Sequence, residues 1–251
     1  MPATNGARNA TAMPDTGEMV VVHRLFTQEY TASVGLVRGV AAGNTARSAV
    51  VADHLAALGA MLTEHHLAED ELVWPRLVAD PAVEPALVAR MEEQHERIAD
   101  ALGRLEQALP GWRESADPVL RDTVAEACAE LLPALDAHLG DEEEHILPLV
   151  PGRFTATEWA VLSERGRAAV PGPHRLYMLA ALGEAAGEDR HTEFLGRLPA
   201  PVRLLYRVAG PSLRRRTKAR LHGTKAAKSA VTQASRPSRV VHDQSSVKPK
   251  P

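Results

Sequence analysis

The chain has 251 residues, of which 45% are apolar but only 4% aromatic, and a formal net charge of −3. Cys128 is its only cysteine and no run of eighteen apolar residues occurs, so a disulfide scaffold and a membrane-spanning helix are both excluded. Residues 1–150 hold 10 Lys+Arg against 25 Asp+Glu and residues 211–251 hold 11 against 1, so an acidic body precedes a basic tail.

Residues 1–17 are polar and rich in breakers, and their composition predicts disorder. They hold no apolar run that could act as a signal peptide, and a single thiol suits a reducing compartment, so a cytoplasmic location is expected. Helical periodicity then begins. His23, Phe26, Tyr30, Val34 and Val37 share one helix face, and Gly43-Asn44 ends that helix with Thr45 as the candidate cap of the next. The second stripe is Val51, His54, Leu58, Met61, His65, Glu69 and Leu72, and Pro75 kinks or ends it. The third runs from Val88 through Met91, His95, Ile98, Leu102 and Leu105 and closes at Leu109-Pro110-Gly111. The fourth starts at Asp117-Pro118, runs through Val124, Cys128, Leu131, Leu135, His138 and Glu142, and ends at Pro148. Four helices of roughly 25 to 30 residues with short connections predict an all-α, up-down-up-down four-helix bundle over 18–150. Residues 151–222 read as a helical extension, in which Thr155 and Glu158 form a capping box. Residues 223–251 read as a basic disordered tail.

Two segments repeat. HHLAEDELVWP (65–75) and HLGDEEEHILP (138–148) align without gaps, pairing His65 with His138, Glu69 with Glu142 and Pro75 with Pro148. A spacing of four puts each His and Glu on one helix face, one turn apart. Imidazole and carboxylate are donors that suit iron, manganese or zinc. Both His residues lie ten residues, about 15 Å, before their proline, so on parallel helices they share one level. His95, on the antiparallel third helix, lies about 20 Å from the same end, and His23 lies near the start of the first. His54 faces the same way as His65 but about 16 Å along the helix, which excludes it from that layer. His23, His65, Glu69, His95, His138 and Glu142 are therefore the expected metal ligands. Two buried carboxylates in an apolar layer are costly without a cation or another partner.

The order H…HxxxE…H…HxxxE, in its AEDELVWP and EEEHILP contexts, resembles the hemerythrin-like (HHE cation-binding) domains over residues 18–150. EWAVLSERG and FLGRLPAPVRLLYRVAG resemble the C-terminal extensions of actinobacterial members. The resemblance implies a cofactor of two non-haem iron ions bridged by Glu69 and Glu142. His23 and His65 would lie towards one ion, and His95 and His138 towards the other. Oxygen-carrying members have HxxxH on the third helix, where His95 here has Met91 and Ala99 at those offsets. They have HxxxxD on the fourth, where this chain has HxxxE. One His ligand is therefore lacking, and an open coordination position, or one filled by water or another side chain, is expected. His66 and His145 are expected at the surface or behind a ligand, and Asp70 and Glu71 are expected to face water.

The implied function is binding or sensing of a small diatomic or peroxide ligand, with peroxide- or nitric oxide-consuming turnover as one form of it. The alternatives are an iron- or oxygen-responsive regulatory bundle without turnover and a metal-free interaction bundle. No specific nucleic-acid partner is expected, because the tail lacks aromatic platforms and a recognisable module. Its charge offers a contact for an anionic partner such as a membrane surface.

Overall fold

The computed structural model describes residues 13–234. The bundle is formed by α1 (Gly17–Arg38), α2 (Thr45–Leu72), α4 (Pro85–Ser115) and α5 (Pro118–Asp141), with a one-turn α3 (Trp74–Val78) after α2. A π-turn (Glu142–Ile146) and a 3-10 turn (Leu147–Leu149) continue α5. The helices form a ring in which α1 packs on α5, α5 on α4, α4 on α2 and α2 on α1, the up-down-up-down arrangement expected. Among the described residues there is no strand, and no helix is long and apolar enough to cross a membrane.

Local chemistry accounts for several of the boundaries. Asp117 caps α5, its carboxylate accepting from the amides of Val119 and Leu120, with Pro118 in the first turn. The first connection differs from expectation by a few residues. α1 stops at Gly39, and Asn44 rather than Thr45 caps α2 by accepting from the Arg47 amide. Asn is the stronger cap and Thr45 becomes the first helical residue. The third bundle helix also outruns its predicted end. It continues through Pro110 to Ser115, because Leu109 and Trp112 on that last turn are buried in the core. Their burial offsets the hydrogen bond that Pro110 cannot make.

The apolar interior is divided. A large core contains Phe26, Leu62, Ile98 and Leu135. A smaller one contains Met19, Val73, Met91 and Ile146. On α2 and α4 the break between the two falls at predicted ligands, His65 to Glu69 and His95; on α1 it falls between Met19 and Val21, just before His23, and after α5 it falls between Leu139 and Ile146, at Glu142.

Residues 156–234 are helical, as α6 (Ala156–Ala169), α7 (Gly172–Ala185), α8 (Gly187–Arg197) and α9 (Ala200–Ala234). The predicted capping box is present, with Thr155 accepting from the Glu158 amide and Glu158 accepting from the Thr155 amide. Helix α9 carries on past Gly223, where composition predicts disorder, because Ala, Lys and Gln there favour helix. The tail beyond 234 and the N-terminal 1–12 lie outside the described residues.

Helix α6 packs on α2, α7 on α1, and α9 on α7. A buried polar cluster joins extension to bundle. Glu29 of α1 accepts from Tyr177 Oη at 3.0 Å and from Arg214 Nη2 at 2.6 Å, and His54 Nε2 of α2 lies 3.1 Å from it. Arg214 also donates to Glu184 at 2.8 Å and stacks its guanidinium on Tyr177. Burial raises the Glu29 carboxyl, but His54 and Arg214 outweigh it and hold the group at about 2. This accounts for His54 outside the layer of predicted ligands: it is an interface histidine. Arg214→Ala leaves Glu29 buried beside fewer partners, and we expect a loss of about 3 kcal/mol in chemical denaturation. Tyr177→Phe is expected to cost about 1 kcal/mol. A near-neutral Arg214→Ala would show that the cluster does not hold the extension in place.

Candidate metal centre

All six predicted ligands converge. Ligand atoms of His23, His65, Glu69 and Glu142 lie within 4.8 Å of one another, and those of His66, Glu69, His95 and His138 form a second such group. Glu69 belongs to both. Glu142 falls in the first group, and its Oε2 approaches His138 Nε2 of the second at 3.9 Å.

His66 corrects the sequence reading. Expected at the surface or behind a ligand, it is only 6% exposed and supplies a third imidazole to the second group. Adjacent helical residues point about 100° apart. His65 therefore turns towards α1, 5.4 Å from the His23 ring, while His66 stacks on His95 of α4 at 4.2 Å. The signal was the HH doublet itself, together with the histidine found lacking on the third helix.

The ring orientations have identifiable causes. His23 Nδ1 donates to Glu143 Oε1 at 2.9 Å, His95 Nδ1 to Asp70 Oδ1 at 2.7 Å, and His138 Nδ1 lies 3.3 Å from Gln94 Oε1. Each contact turns Nε2 into the layer, the arrangement by which outer carboxylates and amides orient metal-binding imidazoles. Asp70, expected merely to face water, therefore holds His95 and also accepts from Trp74 Nε1 at 2.8 Å. The π-turn widens the backbone at Glu142, with the Leu147 amide donating to the Glu142 carbonyl. Glu142 and Glu143 thereby both reach His23, at 3.1 Å from Nε2 and 2.9 Å from Nδ1.

His95 Nε2 and His138 Nε2 lie 3.2 Å apart, but most of the inward atoms lack partners. His23 Nε2, His65 Nε2, His66 Nε2 and both oxygens of Glu69 and Glu142 are buried without a hydrogen-bond partner among the described residues. The approaches between them, such as 3.2 Å from His65 Nε2 to Glu69 Oε1, lack hydrogen-bond direction. Such a concentration of unsatisfied donor atoms is costly in an apolar interior. A cation at each group would satisfy them together, so the residues fit a metal.

The electrostatics describe the same strain. Burial, reinforced by neighbouring imidazoles, pushes His65 and His66 well below the usual histidine range. Burial also takes His138 down to about 3. Burial and the charge of Glu142 push Glu69 up to about 8. Burial disfavours charge on His23 and His95, but Glu142 and Glu143 raise the first to about 9, and Asp70 and Glu69 raise the second to about 9. Burial likewise raises Glu142, yet His23 outweighs it and holds the carboxyl below its usual value.

The sequence profile of the hemerythrin HHE cation-binding domain matches residues 18–150, more than half of the chain. The chain belongs to this family. The matched span covers α1 to the 3-10 turn and every member of both ligand groups, so cation binding is the family property that the layer fits. Comparison with curated proteins and with solved structures gave no match.

The shifts predict how the metal-free HHE protein responds to pH. His23 and His95 contribute stability that is present below about 6.5 and lost as pH rises through about 9. Glu69 loses stability over the interval from its ordinary value to about 8. His65, His66 and His138 act oppositely, losing stability as pH falls through about 6.5. Scanning calorimetry of the metal-free protein should therefore show the highest Tm near pH 6.5 and a fall towards both pH 5 and pH 9. Saturating divalent cation should remove the fall on the alkaline side, because the ligands bind the cation deprotonated. A metal-free Tm that stays level from pH 6.5 to 9 would contradict these protonation states.

Proposed function

We propose that the polar layer holds two non-haem iron ions and binds or senses dioxygen, peroxide or nitric oxide. His66, His95 and His138 ligate one ion, His23 and His65 the other, with Glu69 between them and Glu142 on the His23 side. The observation that carries this reading is the convergence of buried donor atoms into two groups sharing Glu69, most of them without a hydrogen-bond partner among the described residues. Membership of the cation-binding family supports it, and the imidazole and carboxylate donors suit iron. Bound iron supplies one-electron redox chemistry and an acceptor position for a small ligand.

The chain's own residues set the conditions for that chemistry. Glu143, Asp70 and Gln94 fix the imidazole orientations. Phe26, packed 5.4 Å from the His65 ring, helps keep bulk water from that side. A cavity of about 40 Å³ beside His65, lined by Met19, Val22, Leu162 and Leu182 among others, has room for a diatomic molecule or peroxide. A reducing cytoplasm would keep the iron ferrous and the buried Cys128 free.

A second reading has its own support. α6 and α7 pack on α2 and α1, the helices that carry His65 and His23. The extension is therefore placed to register the state of the layer and pass it to a partner, without turnover. The basic tail supplies a contact for an anionic partner in that reading.

Anaerobic titration with ferrous iron, followed by elemental analysis, tests the ligand set. Wild-type protein should retain about two irons per chain, as the two donor groups require. His66→Ala should reduce the retained iron to about one, whereas His54→Ala should keep both, since His54 pairs with Glu29. Full retention by His66→Ala would remove His66 from the ligand set, and retention of manganese or zinc alone would overturn the iron assignment. Exposure of the ferrous protein to air, peroxide or nitric oxide should each change the near-ultraviolet and visible spectrum, and silence towards all three would contradict the small-ligand reading.

A further inference from the structure

The layer has an approach from a second side. Between α2 and α4 a surface groove of about 510 Å³ descends to His66 and His95. Its walls carry Asp70, Glu92, Glu96 and Glu106, and among the described residues no Lys or Arg lines it. Asp70 contacts His95, whereas Glu92, Glu96 and Glu106 take part in no ion pair among the described residues. Glu92 and Glu96 stand one helical turn apart, a like-charge spacing that disfavours the helix. Ala99 and Gly103 keep the trough between them open. At its floor, His66 is 6% exposed and its Nε2 has no hydrogen-bond partner among the described residues.

The two sides of the layer differ in what they admit. The small cavity beside His65 is lined mainly by apolar groups, and its one carboxylate, Glu18, is paired with Arg167, whose own charge repels a cation there. The groove instead offers carboxylate oxygens along its length, and a cleft lined by one sign of charge concentrates the opposite ion.

We propose that this groove is the loading route by which a hydrated divalent cation reaches the metal layer. Glu92, Glu96 and Glu106 attract it and Asp70 passes it inward, so that it meets His66 and His95 first. The proposal rests on the metal-binding reading above, and rates separate the two.

The test mixes metal-free, full-length protein with cobalt(II) ion and follows the visible bands of the bound metal by stopped flow. The triple variant Glu92→Gln, Glu96→Gln, Glu106→Gln should take up cobalt about tenfold more slowly at low ionic strength, with the difference shrinking in high salt and the final stoichiometry unchanged. Ala99→Lys, which places a cation in the trough, should slow uptake in the same way. A control triple at the far end of the bundle, Glu114→Gln, Asp122→Asn, Glu126→Gln, should change the rate less than twofold. Wild-type uptake rates in both groove variants, with full final stoichiometry, would overturn the route and leave the metal site standing. Absence of cobalt binding by the wild-type protein would overturn both.

Discussion

The fold is organised around a polar layer that its own side chains cannot satisfy. Two apolar cores close on it from either end of the bundle, and four helices each contribute to it at one level. Within the layer the imidazole nitrogens and carboxylate oxygens point at one another, and most lack a hydrogen-bond partner among the described residues. A buried carboxylate tolerates this only by binding a proton or a cation, and burial beside Glu142 already drives Glu69 towards the proton. The features around the layer keep these atoms converging: the break after α2, the π-turn after α5, and the three outer contacts at Nδ1.

The extension adds a second buried polar centre with the opposite character. Glu29 has partners from both directions, and Arg214, Tyr177 and His54 converge on it. The Glu29 charge is compensated by Arg214, which also pairs with Glu184, so that cluster works as a joint although His54 makes no directed hydrogen bond there. The metal layer has two carboxylates and unpartnered histidines, so it works as a receptor. Surroundings differ along with it: a small apolar cavity on the His65 side, under the extension, and an open acidic groove on the His66 side.

Much of this was legible in the sequence, because helical periodicity fixes both the face and the height of a residue. The H-x-x-x-E repeat and the distance of each histidine from its helix end were enough to gather His23, His65, Glu69, His95, His138 and Glu142 and to set His54 apart. Three things were less legible. His66 follows a residue that already occupied the stripe, and a single-face reading gives no place to its neighbour, although between two partner helices both can point inward. Asp70 and Glu143 are partly exposed, so polarity alone read Asp70 as solvated, whereas each holds a ring nitrogen. The run of α4 through Pro110 depends on the tertiary burial of Trp112, which a local breaker signal does not register.

The central claim is that one layer of side chains binds two cations with Glu69 common to both. Anomalous-difference crystallography on crystals of the iron-loaded protein tests it directly. The account predicts two peaks, one against His66, His95 and His138 and the other against His23 and His65, with Glu69 reaching both. Iron found only beside Glu29 and His54, only in the acidic groove, or nowhere in the bundle would contradict it.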